Sequence, residues 1–187
     1  MLQHPQLSVP KEIWRLADYI FKNGLDAEGL FVTAGEAEEM EKIRDCLDEG
    51  RDFDFQGSNT AIHSVCETLV RLLESLPEPV VPFNLYQRCL DSYQTYQLAK
   101  QAVSQISTIH YNVFVYLTAF LREVISHSNK NGLTSEGLGM SPILLSSCCS
   151  FFLFLTEQNF PRHYSPDFRG CDPALSKDCC RKVPRGC

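Results

Sequence analysis

The stretch Leu69-Val70-Arg71-Leu72-Leu73-Glu74-Ser75-Leu76-Pro77-Glu78-Pro79 decides how this chain is read. It closes an apolar series, Ile62, Val65, Cys66, Leu69, Leu72, Leu73 and Leu76, spaced by threes and fours. That is the period of a helix with one broad face against a core. Pro77 and Pro79 end it, because proline offers no amide hydrogen and crowds the preceding turn. Ser58-Asn59 stands upstream as the expected cap.

The same period recurs on either side. Ile13, Trp14, Ala17, Ile20 and Phe21 follow Val9-Pro10, with Ser8 as the expected cap, and Asn23-Gly24 stops that helix. After a loop over 25–35, Met40, Ile43 and Leu47 mark a short acidic helix that Gly50 ends. Pro82 opens another short helix with Phe83, Tyr86, Cys89 and Leu90, and a weaker one covers 96–106. Asn112 begins the strongest, with Val113, Phe114, Leu117, Phe120, Leu121, Val124 and Ile125, closed by Asn129-Lys130-Asn131-Gly132. No useful β-alternation and no internal repeat occur. The expected fold is all-α: about seven helices in an irregular bundle.

Composition removes several function classes. A net charge of −6 and no basic run before the last eleven residues argue against nucleic-acid binding. The sequence has no phosphate-cradling glycine loop and no Gly-x-Ser-x-Gly elbow, and His4, His63, His110, His127 and His163 show no ligand spacing. The N-terminus has neither the basic start nor the apolar run of a signal peptide, so the nine cysteines are expected as thiols. Cys171, Cys179, Cys180 and Cys187 lack a zinc-knuckle spacing, and no metal or cofactor is expected. Residues 137–156 carry no charge, long enough for a bilayer, but they include Gly137, Gly139 and Pro142. Their strongly apolar part, 143–155, suits a buried helix better than a span. From about 157 the helical period is lost among prolines, glycines and cysteines. The expected organisation is a helical domain over 8–156 and a disordered tail over 157–187.

A second motif lies in the loop after the first helix: Glu28-Gly29-Leu30-Phe31-Val32-Thr33-Ala34-Gly35. Alone, each motif reads as a loop with buried anchors or a helix stopped by prolines. Together, in this order and separation, they resemble the RhoGAP domain. Its first loop reads Glu-Gly-(Leu/Ile)-(Phe/Tyr)-Arg-x-Ser-Gly, and its Leu-Arg-Glu-Leu-Pro-Glu-Pro segment follows about forty residues on. Residues 112–123 also fit a later helix of that family, and the resemblance covers roughly 8 to 140. Val9-Pro10-Lys11-Glu12-Ile13-Trp14, Leu85-Tyr86-Gln87-Arg88-Cys89-Leu90 and residues 117–123 narrow it to one subfamily. That is the RhoGAP-like domain of the inositol polyphosphate 5-phosphatases of the Lowe syndrome (oculocerebrorenal) and type II kind. The phosphatase and ASH domains that precede it there have no counterpart in these residues, so a C-terminal piece is expected.

The resemblance implies binding to Rho-family small GTPases without catalysis. The family's arginine finger aligns with Val32, its helix lysine with Val70, a supporting arginine with Glu74 and a later asparagine with Gly137. A finger arginine is worth about 10³ to 10⁵ in rate, and valine has no charge or donor to replace it. Arg71, about 100° around the helix from Val70, is the cation an active alternative would use. The resemblance also implies binding of Phe- and His-containing adaptor peptides, with Trp14 matching that site, and peripheral association from the cytoplasm with endosomal or Golgi membranes. Trp14, Phe31 and Arg71 are therefore the candidate contact residues. A membrane-anchored helical fragment held by 137–156 is the remaining alternative.

Overall fold

The computed structural model describes residues 9–55, 57–58, 60–85, 88, 101 and 104–134. Five helices are bounded within them: α1 (Lys11–Asn23), α2 (Ala37–Asp48), α3 (Ile62–Glu74), α4 (Thr108–Ser126) and α5 (Ser128–Asn131). No strand occurs among the described residues. The all-helical architecture is the one the periodicity implies. Ser8, the helix over 96–106 in large part, Gly137, the uncharged segment 137–156, the tail and its cysteines lie outside the described residues.

α1 starts directly after Pro10, whose carbonyl accepts the Trp14 N–H at 3.0 Å. It buries Ile13, Leu16, Ala17 and Ile20, and Gly24 caps it by donating to the Ile20 carbonyl. That buried face packs mainly on α3, and α3 packs in turn on α2. The three helices bring Ile43, Val65, Leu69 and Leu73 into one core with the α1 residues.

α3 begins three residues later than Ser58-Asn59 would place it. The described residues among 54–60 form a local turn instead. The Asp54 side chain accepts the Gly57 N–H at 2.9 Å, and its carbonyl accepts the Ser58 N–H at 3.2 Å. Phe55 and Thr60 are buried by that turn, and Ala61 becomes the helix cap, held by its own N–H to Glu39 Oε2 of α2.

α4 begins at Thr108, four residues before Asn112, and its first turn presents Ile109 to solvent, which hides the turn from a periodicity argument. Along its length Val113 to Thr118 are all buried, as are Phe120, Leu121 and Val124. An amphipathic helix buries one face; this one has buried residues on most sides. Its C-terminal end and α5 lie beside the loop that follows α1, through Asn131 and the Leu25 and Gly29 backbone.

Candidate functional site

The loop over 25–35 has an unusual backbone for its sequence. Gly29 has φ +71°, and a side chain there would strike the Thr33 hydroxyl. Its carbonyl accepts the N–H groups of both Val32 and Thr33, at 2.9 and 2.8 Å. Phe31 has φ +61°, a conformation that costs a residue with a Cβ roughly 1–2 kcal/mol. Burial offsets the strain: Phe31 is only 4% exposed and meets Phe120 edge-on, ring centres 6.2 Å apart. Phe31 thus anchors the loop from inside the core, with little of its ring exposed. With Phe31 inward, Val32 is turned out, 65% exposed at the tip.

The far side of the loop is stapled to α3. Ser64, Glu67 and Arg71 lie along one stripe of that helix. Ser64 Oγ accepts the Glu36 N–H at 2.9 Å, and Glu67 Oε2 accepts the Gly35 N–H at 2.7 Å. Gly35 is needed here, because a Cβ would lie 2.6 Å from the Ser64 Cα. The other carboxylate oxygen, Glu67 Oε1, accepts from Arg71 Nε at 3.0 Å and Nη2 at 2.6 Å. The Gly35 N–H first, and Arg71 second, hold the Glu67 carboxyl below the usual carboxylate range.

Phe31, Thr33, Glu67 and Val70 line a cleft beside the tip, of about 10 Å³, room for roughly one water. Val70 is buried at 3% exposure, while Glu74 is exposed one turn further along. The structure therefore gathers Phe31, Val32, Val70 and Arg71 around one loop and helix face. Trp14 is separate: it is partly buried on α1 against the core and lines no part of the cleft. Its indole N–H is buried without a partner among the described groups, and its carbonyl receives the Tyr116 hydroxyl at a long 3.5 Å.

Sequence reasoning missed Glu67 and Ser64, whose only signal is their helical spacing from Arg71. It also missed the near side of the loop. Asp26 accepts from Lys130 Nζ at 2.6 Å and pairs with His127 Nδ1 at 2.7 Å. Lys130 first, and His127 second, hold the Asp26 carboxyl below its ordinary value. No metal-competent cluster of acidic, histidine or cysteine side chains occurs among the described residues.

The pattern of the RhoGAP domain matches residues 10–148. The chain belongs to the RhoGAP domain family. This RhoGAP domain is 41% identical over 166 residues to mouse type II inositol 1,4,5-trisphosphate 5-phosphatase, covering 89% of this chain and 15% of that protein. It is 33% identical over 138 residues to human Rho GTPase-activating protein 24, covering 69% of this chain and 18% of that protein. The chain thus spans less than a fifth of either relative. Among solved structures, human Rho GTPase activating protein 15 superimposes with a TM-score of 0.70 over 80% of this chain and 82% of that one, at 17% identity. The BH domain of the GTPase regulator associated with focal adhesion kinase gives 0.67 over 79% and 90%, at 16% identity. The two superpositions establish the fold.

Proposed function

We propose that this RhoGAP domain is a catalytically silent docking module. It engages Rho-family small GTPases through the loop 25–35 and the adjoining stripe of α3. The observation that carries the reading is the exposed Val32 at the loop tip. GTPase activation needs a cation beside the γ-phosphate as charge develops in the transition state. No Lys or Arg occurs between Asn23 and Glu41, so the loop offers none.

The reading in which Arg71 serves instead is disfavoured by its pairing with Glu67, two of its nitrogens donating to Oε1. To reach a phosphate it would leave a carboxylate that also holds the loop. Val70 offers no donor, Glu74 brings a like charge toward the phosphate, and Gly137 lacks the side chain of the family's asparagine. The membrane-anchored reading concerns 137–156, which lie outside the described residues; among the described residues no helix is long and apolar enough to cross a bilayer.

A second surface, around Trp14, takes Phe- and His-containing adaptor peptides in this reading. The partly exposed indole of Trp14 favours it, since a large flat aromatic at the edge of a helix stripe is the kind of group enriched at binding hot spots. Both surfaces suit a cytoplasmic module acting at endosomal or Golgi membranes beside phosphoinositide metabolism. The 41% identity to a type II inositol 1,4,5-trisphosphate 5-phosphatase supports the link to inositol phosphate metabolism.

The test is single-turnover GTP hydrolysis by Rho-family GTPases, run beside a direct binding measurement. Binding with less than about tenfold acceleration at micromolar protein is the expected result. Acceleration of tenfold or more overturns the silent reading, and absence of binding to every member overturns the docking reading.

A further inference from the structure

Asn131 is a polar residue with no exposure at all, and its sequence surroundings mark it only as part of a helix stop. Both donors and the acceptor oxygen of its side chain are engaged. Nδ2 donates to the Leu25 carbonyl at 2.9 Å and the Val124 carbonyl at 2.8 Å, while Oδ1 accepts the Leu133 N–H at 2.8 Å. A neutral amide can donate twice and accept twice, so three of its four capacities are matched. Its own carbonyl then accepts the Gly29 N–H at 3.0 Å. One residue therefore joins the last turns of α4, the segment after α5, and two points of the loop.

We propose that Asn131 is the positioning residue of the loop 25–35: through Leu25 and Gly29 it sets the backbone that turns Val32 outward. The order of bonds supports this. Gly29 is fixed by Asn131, and the Gly29 carbonyl in turn holds the Val32 and Thr33 N–H groups. Phe31 keeps its left-handed conformation only while both sides of the loop are held, by Asn131 on one side and by Ser64 and Glu67 on the other. The exposed Asp26 bridge to Lys130 and His127 is an outer latch on the same side. The segment after α4 is thereby coupled to a surface distant from it in sequence. That the loop is a docking surface rests on the function proposed above; the clamp itself does not.

The experiment measures amide hydrogen exchange in the intact chain and in Asn131→Ala. In the variant the Gly29, Val32 and Thr33 amides should exchange at least about tenfold faster, while α1 and α3 amides stay protected. Unchanged loop exchange in a folded variant overturns the proposal. Should the variant not fold, the unmodified chain decides under mild denaturant. There the Gly29, Thr33 and Leu133 amides should open as one unit, and Gly29 opening well before Leu133 overturns it. A Rho-family GTPase that binds the intact chain should bind the folded variant about tenfold more weakly. Loop exchange reads the clamp even where no GTPase binds, so failure of docking and failure of the clamp are told apart.

Discussion

Replacing Val32 by arginine tests whether the lack of a cation at the loop tip would by itself account for the catalytic silence proposed above. Val32 is 65% exposed, so the fold should tolerate the change within about 0.5 kcal/mol. A finger working fully gives about 10³ to 10⁵ in rate, or roughly 4–7 kcal/mol of transition-state stabilisation at 1.36 kcal/mol per tenfold. Much of that depends on the guanidinium being aimed and supported. Here the supporting position is Val70, a buried apolar side chain. The cleft flanking the tip holds the Glu67 carboxylate, which already binds one arginine and competes for a second. The expected gain for Val32→Arg is therefore below about tenfold, under about 1.4 kcal/mol. Adding Glu67→Gln removes the competing charge while its side-chain oxygen can still accept the Gly35 N–H, and should raise the gain by a further few-fold. The assay is single-turnover hydrolysis of GTP bound to a Rho-family GTPase, with the variants at micromolar concentration. A gain of a hundredfold or more from Val32→Arg alone would refute the argument, since it would make the surrounding groups irrelevant.

Trp14→Ala should lower stability by about 2–3 kcal/mol, less than for a fully enclosed tryptophan, because the side chain is only partly buried. Trp14→Phe keeps most of that packing and removes the unpartnered N–H; it should melt near the parent yet lose adaptor-peptide affinity, and unchanged affinity by titration rules the binding role out. Glu67 has its folded pKa depressed below the ordinary 4.5, so its contribution is present above 4.5 and is lost as pH falls through the lower folded value. Melting temperatures should accordingly drop below about pH 4.5, less steeply in Glu67→Gln than in the parent; equal slopes would exclude the staple. Burial pushes the Cys66 thiol up to about 12, so it should resist iodoacetamide at pH 8 until the chain unfolds, whereas half-buried Cys46 should label in the native state. Peptide mapping that finds Cys66 modified as fast as Cys46 would contradict the burial.

Local sequence alone determined the fold class, the C-terminal stops of α1 and α2 and the apolar face of α3. Those features depend on which residues recur every three or four positions, and proline and glycine punctuate them locally. The two motifs likewise pointed to the RhoGAP family, because the fixed identities of a loop and a helix end survive in linear order. Tertiary structure decided the rest. Phe31 looked like a contact residue beside Val32, but a left-handed backbone sends it inward to Phe120 and leaves Val32 outside. Ile109 broke the pattern that would have started α4 at Thr108, and Val115 and Tyr116 are buried because other elements surround that helix. Arg71 read as a spare cation until Glu67 was found holding it and the loop together. Asn131 carried a signal only as part of a helix stop, not of its bonds, since its partners Leu25 and Gly29 lie 106 and 102 positions away along the chain. A hydrogen bond between residues so distant leaves no period to read; it exists only once the helices have packed and brought a buried amide to the carbonyls that need it.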